Sequence, residues 1–134
     1  AEEPYRSYVP LLRSVPGISR LSAMILLTEL VDIYRFKDID HLVSFVGLSP
    51  GEHSSGPSEY STGLSMRCNA ALRFIVIECA WIAIRKDPAL MLAFQALSKR
   101  MPKSKAIIRI ARKLVGRIYH IWKHHQTYQI GLVA

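Results

Sequence analysis

The spacing of apolar residues between positions 104 and 126 constrains the fold more than any other feature of the chain. Apolar side chains recur there at steps of mainly three and four, so the segment predicts one long amphipathic helix. Such a helix must bury its apolar face against other elements, and no segment shows the alternation typical of paired strands. The apolar stripe consists of Ile107, Ile110, Ala111, Leu114, Ile118, Ile121 and Trp122.

Proline, glycine and capping residues divide the rest of the chain into shorter helical segments. Apolar spacing and capping residues predict helices over 4–14, 19–31 and 38–47. A longer apolar helix follows over 65–86, and Pro88 can open the next one. The sequence therefore predicts an all-α fold of five to six helices, with a long Ser/Gly-rich loop before the apolar helix.

The size and composition of the chain fit a single domain over residues 1–134. Half of the 134 residues are hydrophobic and 21% are charged, which is enough to form a core. The two cysteines exclude a disulfide-rich secreted scaffold, so we expect a reducing, cytoplasmic compartment. The sequence shows no signal peptide and no uninterrupted apolar span, so we expect no membrane partner.

The positive charge of the chain is concentrated in its second half. Residues 1–63 hold 5 Lys/Arg and 8 Asp/Glu, a net of −3, whereas residues 64–134 hold 13 Lys/Arg and 2 Asp/Glu, a net of +11. A nucleic-acid backbone is the commonest partner of so basic a segment, although a solvated basic face has the same composition. On the last helix almost no acid balances the cations, which favours a surface that tracks phosphates. The predicted nucleic-acid-binding residues there are Lys105, Arg109, Arg112, Lys113 and Arg117.

A Pro-Gly turn joins the first two predicted helices. The region over residues 8–31 resembles a helix-hairpin-helix, in which turn amides and a helix N-terminus hold a DNA phosphate. In that interpretation Gly17 and Ser19 contact the nucleic acid. The alternative is a plain corner between two helices that packs the core.

The loop over residues 49–63 is the first candidate for chemistry. A loop of this length inside one domain is uncommon, and this one is rich in hydroxyl groups. It leads into a helix start that carries Arg67 and Arg73. A hydroxyl nucleophile beside oriented amides and arginines is what phosphoryl transfer requires. The alternative is a flexible loop with helix-capping serines.

The order of several short strings along the chain resembles one known family. These strings resemble the C-terminal transposase domain of the insertion-sequence 110/116/902 family of bacterial transposases, over roughly residues 11 to 128. They are Val15-Pro16-Gly17-Ile18, Asp32-Ile33-Tyr34-Arg35-Phe36, Phe45-Val46-Gly47-Leu48-Ser49-Pro50, Glu52-His53-Ser54-Ser55-Gly56, Gly63-Leu64-Ser65, Arg67-Cys68-Asn69, Leu72-Arg73 and Ala111-Arg112-Lys113-Leu114.

The resemblance implies DNA strand exchange by a serine that links covalently to DNA, guided by a structured RNA. It places the nucleophile at Ser54, with Ser55 as second choice because the family varies the second hydroxyl. It places the family's Gly-x-Ser-Lys-Arg-Gly-Asn string on Gly63, Ser65, Arg67 and Asn69. The chain departs from the family at Met66, at Cys68 and over residues 56–62, which contain Glu59 and no basic residue. It also implies a preceding RuvC-like domain that holds a divalent metal, no cofactor in this part, and a homo-oligomer in the bacterial cytoplasm.

Two other functions remain open at this point. One is a non-catalytic helix-hairpin-helix module that binds nucleic acid, and the other is a dimerisation module that uses the apolar helix over 69–84. Three histidines near the end of the last helix, His120, His124 and His125, have no cysteine or carboxylate close in sequence. We therefore predict no metal site in this chain.

Overall fold

The computed structural model of the chain describes residues 7–49 and 63–128, with the side chains of 63–69 excepted. The prediction of an all-α fold is confirmed, since those residues form six α-helices, one short 3-10 helix and no strand. The elements are α1 (Tyr8–Arg13), α2 (Arg20–Leu30), the 3-10 helix (Ile33–Arg35), α3 (Ile39–Val46), α4 (Gly63–Lys86), α5 (Pro88–Ser98) and α6 (Lys103–His124).

Helix α6 lies at the centre of the packing. It contacts α1, α3, α4, α5 and the 3-10 helix, and its apolar stripe is buried along the whole length of the helix. The rings of Tyr8 and Trp122, 5.7 Å apart, join the first helix to the end of the last. Burying one long stripe against five elements makes α6 a shared part of the hydrophobic core. None of the helices in the described part of the chain is long and apolar enough to cross a membrane.

Side-chain caps fix the starts of three helices. Ser19 accepts a hydrogen bond from the amide of Ser22 at 3.2 Å, and Asp38 accepts one from the amide of His41 at 3.0 Å. Asp87 does the same for α5, which begins at Pro88 as predicted. These contacts satisfy amides that have no partner within the helix.

The 3-10 helix after α2 is an element that the sequence analysis missed. Asp32 caps it by accepting from the amide of Tyr34 at 3.0 Å. Arg35 then reaches back and donates to the carbonyl of Leu30 at 2.9 Å, which satisfies an acceptor at the end of α2. The guanidinium also lies 5.0 Å from the ring centre of Phe45 on α3, so this arginine joins three elements.

The turn between α1 and α2 packs against the backbone of α4. Gly17 has φ +91°, and a Cβ at this position would lie 2.3 Å from the carbonyl oxygen of Cys79 and 3.1 Å from the amide nitrogen of Ala83. Both the positive φ and the close approach require glycine. Packing against α4 therefore explains why residue 17 is a glycine. This is the explanation given by the alternative of a plain corner between two helices, in place of a turn that binds phosphate.

We therefore expect Gly17→Ala to lower the free energy of unfolding by more than about 2 kcal/mol, because it combines an unfavourable φ with a backbone clash. Gly116→Ala is the matched control, since a Cβ there meets nothing within 4 Å on a helix interior. It should raise the free energy of unfolding by roughly 0.5–1 kcal/mol. Urea titrations followed by circular dichroism measure both changes. Equal stability of Gly17→Ala and wild type would contradict the close contact with α4.

Candidate nucleic-acid interface

Three cations form an exposed row along α6. Lys105, Arg109 and Lys113 are spaced by four residues, so they follow one side of the helix over about 12 Å. All three side chains are exposed, and α6 carries no acidic residue. Within residues 7–49 and 63–128, none of the three has a hydrogen bond or ion pair. We call these three residues the basic row.

Arg112 lies beside the basic row but is half-buried. Burial lowers the pKa of its guanidinium from the usual value, and the charge of Arg109 lowers it further. An arginine still remains charged at neutral pH. Its Nε is buried and has no hydrogen-bond partner among the described residues. Arg112 therefore contributes positive charge at the edge of the row while its stem packs on the helix.

Arg117 is half-buried and lies outside the basic row, so its role in binding nucleic acid stays a prediction. Its guanidinium donates to the hydroxyl of Tyr128 at 2.5 Å, and Tyr128 in turn donates to the fully buried carboxylate of Asp87. Burial and the hydrogen bond to Asp87 raise the pKa of Tyr128, so its phenol stays protonated. This buried network engages Arg117 in holding the residues just after α6 against the start of α5.

Arg73 on α4 lies beside the end of α3. It is exposed on α4, and its Cδ lies 3.4 Å from the place a Cβ would take on Gly47, the residue that ends α3. Two residues further on, the hydroxyl of Ser49 lies 2.7 Å from that of Ser44. Arg73 is thus positioned beside the end of α3, two positions before the predicted loop.

The other predicted loop residues fall partly outside the described structure. Ser54 and Ser55 lie outside it, as does most of the predicted 49–63 loop. The backbone places Ser65, Arg67 and Asn69 in the first two turns of α4, which begins at Gly63. The structure therefore places Arg73 beside Gly47, two positions before the predicted loop, and leaves the roles of Arg73, Arg67 and the loop hydroxyls as predictions.

The histidines at the end of α6 lie close together. The rings of His120 and His124 stack with centres 4.4 Å apart, and His120 Nε2 lies 3.2 Å from the side-chain oxygen of Gln126. In the described ranges, no group of three or more His, Cys, Asp or Glu side chains is placed to hold a metal ion.

Cys79 is buried, and burial raises the pKa of its thiol. These are the surroundings of a cysteine that packs in the core.

Comparison with known proteins defines the class of this chain. The family model described as the IS116/IS110/IS902 transposase family matches residues 9–96, which is well over half of the sequence. The chain belongs to this transposase family. No solved structure matches it.

Individual relatives carry transposase and inversion names. The chain is 32% identical over 124 residues to the transposase for insertion sequence element IS1111A of Coxiella burnetii, covering 90% of this chain and 34% of that protein. It is 26% identical over 126 residues to the IS110 uncharacterized 43.6 kDa protein of Streptomyces coelicolor, covering 93% and 31%. It is 29% identical over 125 residues to the pilin gene-inverting protein of Moraxella bovis, covering 88% and 38%. The chain thus spans about a third of the length of these relatives.

Proposed function

We propose that this chain is the C-terminal strand-exchange domain of a transposase, and that it binds nucleic acid through the basic row of α6. In the complete protein, Ser54 attacks a DNA phosphodiester and forms a covalent link, with Ser55 as the alternative nucleophile. The partners are DNA, a guide RNA and further copies of the protein in the bacterial cytoplasm. A RuvC-like domain elsewhere in the protein would supply the divalent metal.

The observation that carries the proposal is the exposed row of cations on a helix without acids, which have no partner among the described residues. Lysine and arginine side chains in this state attract phosphates and release the counterions condensed on nucleic acid. Their stems emerge from a helix whose other side is fixed in the core, so the charges are held at constant spacing. An ordinary solvated face usually mixes charges of both signs, and α6 does not.

The chemistry of the proposed reaction follows from the residues around the loop. The hydroxyl proton of Ser54 passes to a base such as His53 or a group from another domain, and the serine oxygen attacks phosphorus in line. The P–O bond to the deoxyribose breaks, and the sugar oxygen leaves as a hydroxyl after it takes up a proton. The positive charges of Arg67 and Arg73 stabilise the equatorial oxygens as negative charge develops. The position of Arg73 beside Gly47, two positions before the loop, supports this role.

Homo-oligomerisation is supported by apolar side chains that the described residues leave exposed. Ile82 on α4 is 42% exposed and Leu92 on α5 is 66% exposed. The rings of Trp81 and Phe94 pack edge to face at 5.6 Å and join these two helices. Exposed apolar side chains on two helices that pack together suit contact with a second copy. Sedimentation velocity of the chain would show a dimer if the proposal holds and a monomer at all concentrations if it fails.

Binding of the wild-type chain to duplex DNA should fall steeply with salt. Neutralising three to five phosphates gives a loss of about 40- to 500-fold in affinity between 50 and 200 mM salt. Fluorescence anisotropy with a labelled duplex measures this dependence. A chain that does not bind at 50 mM salt, or whose affinity is independent of salt, would overturn the proposed interface.

A further inference from the structure

The C-terminal end of α6 carries aromatic and cationic side chains that the basic row does not include. Tyr34 is 63% exposed, and its ring centre lies 6.0 Å from the Nζ of Lys123. The same Nζ lies 5.1 Å from the ring centre of Tyr119 and donates to its hydroxyl at 3.1 Å. One turn of the helix also presents the stacked, exposed rings of His120 and His124. We call these five residues the aromatic patch.

The backbone just before Tyr34 is strained, and a hydrogen bond holds the Tyr34 ring against α6. Val31 has φ +65° and ψ −61°, and the amide of Asp32 donates to the carbonyl of Leu30 at 2.6 Å. This is a tight three-residue turn of the rare, strained kind, and it is unfavourable for a β-branched residue. The hydroxyl of Tyr34 then donates to the carbonyl of Lys123 at 2.9 Å. Strain of this kind persists where the surroundings hold a group in place, and it occurs often at binding sites.

We propose that the aromatic patch binds unpaired nucleotides of a single-stranded nucleic acid. Bases stack on the exposed rings of Tyr34 and of the His120–His124 pair, and Lys123 lies beside the phosphates. The inference rests on the proposed function, since it adds a second subsite to a nucleic-acid surface. From Lys113 to His120 the helix rises only about 10 Å, so one strand can run from the basic row to the patch.

The chemistry of the patch selects single strands over duplexes. Every base has a flat face that stacks on tyrosine or histidine, but in a duplex these faces are covered by neighbouring base pairs. Cations beside exposed rings are the arrangement found in surfaces that bind single strands without sequence preference. The nearest carboxylate in sequence, that of Asp32, accepts from the amide of Tyr34. A strand of DNA and a strand of RNA offer the same stacking faces, and both belong in the test.

The test compares Tyr34→Leu with two other variants of the whole chain. Tyr34→Phe restores the ring and loses only the hydroxyl. Phe74→Leu is the matched control, because Phe74 is 62% exposed on α4 and lies outside the patch. The probes are a labelled mixed-sequence single strand as DNA and as RNA, the same DNA strand with abasic central positions, and the matched duplex. Fluorescence anisotropy gives each Kd.

Tyr34→Leu is expected to weaken single-strand binding by roughly 5- to 150-fold, the range for one stacked base. Tyr34→Phe should recover most of that affinity, and Phe74→Leu should bind as wild type does. The loss should disappear with the abasic strand and with the duplex. Loss on RNA alone or on DNA alone identifies the natural strand and supports the proposal.

Equal losses on the intact strand, the abasic strand and the duplex would show that Tyr34 supports phosphate binding, which overturns the stacking role. If Tyr34→Leu binds single strands as tightly as the wild type does, the stacking role is also overturned. In that case the proposed function still stands as long as the wild type binds duplex DNA. If the wild type binds none of the probes, both the stacking role and the proposed function are overturned.

Discussion

Replacing Lys105, Arg109 and Lys113 together with glutamate is expected to weaken duplex DNA binding by roughly a hundredfold or more at physiological salt. Each lost phosphate contact means that one counterion fewer is released from the DNA on binding, which lowers the affinity. Each new carboxylate also repels the DNA phosphates. The dependence of log affinity on log salt should also become shallower by about three units. The side chains are exposed and without partners among the described residues, so the fold should be retained. Anisotropy titrations at several salt concentrations give both quantities.

The matched control replaces Arg13, Arg20 and Lys37 with glutamate. These side chains are also exposed and the change in net charge is identical, but they lie in the first half of the chain. We expect only a small loss of affinity from this variant. If it loses more affinity than the α6 variant, the phosphate surface lies near the α1–α2 turn, as the helix-hairpin-helix alternative requires. If both lose the same amount, binding reflects net charge alone and the proposed interface is wrong.

In the complete transposase, Ser54→Ala is expected to abolish strand exchange, with a loss on the order of 10⁴-fold or more. Removing the nucleophile of a covalent mechanism removes the step that the surrounding charges assist. One hydroxyl contributes little to binding or to folding, so DNA affinity and thermal stability should stay close to those of the wild type. Ser55→Ala should have a smaller effect. Recombination of a DNA substrate in vitro, read by gel, measures the rates.

The pair of serine variants also distinguishes the alternatives. If Ser55→Ala abolishes exchange and Ser54→Ala does not, the nucleophile is the second serine. If both variants exchange strands at the normal rate, the covalent serine mechanism is wrong for this protein and the loop has a structural or phosphate-binding role. Arg73→Lys provides a further comparison, because lysine keeps the positive charge of residue 73 but lacks the paired N–H donors of the guanidinium group.

Much of the fold could be predicted because its signals are local. Ser19, Asp38 and Pro88 mark helix starts through contacts within three residues, and the α6 stripe is visible as a repeat of three and four. The starts and ends that follow from such signals agree with the structure to within a few residues. The assignment of Lys105, Arg109 and Lys113 to one side of α6 has the same local origin.

The features that sequence reasoning missed depend on contacts between distant parts of the chain. Arg117 is turned toward Tyr128 and the buried Asp87, which no pattern on α6 indicates. Tyr34 reaches Lys123, 89 positions further along. The contact that requires Gly17 comes from Cys79, on a helix four elements away in the chain. In each case the residue type was visible in the sequence, but the partner that defines its role was not.

Photocrosslinking of the wild-type chain to duplex DNA tests the central claim most directly, since it locates the interface without any substitution. A duplex carrying 4-thiothymidine at several positions would be crosslinked by ultraviolet light and the attached peptides identified by mass spectrometry. The account predicts crosslinks on the exposed side of α6, within residues 103–113. Crosslinks confined to the α1–α2 turn at residues 15–22, with none on α6, would contradict it.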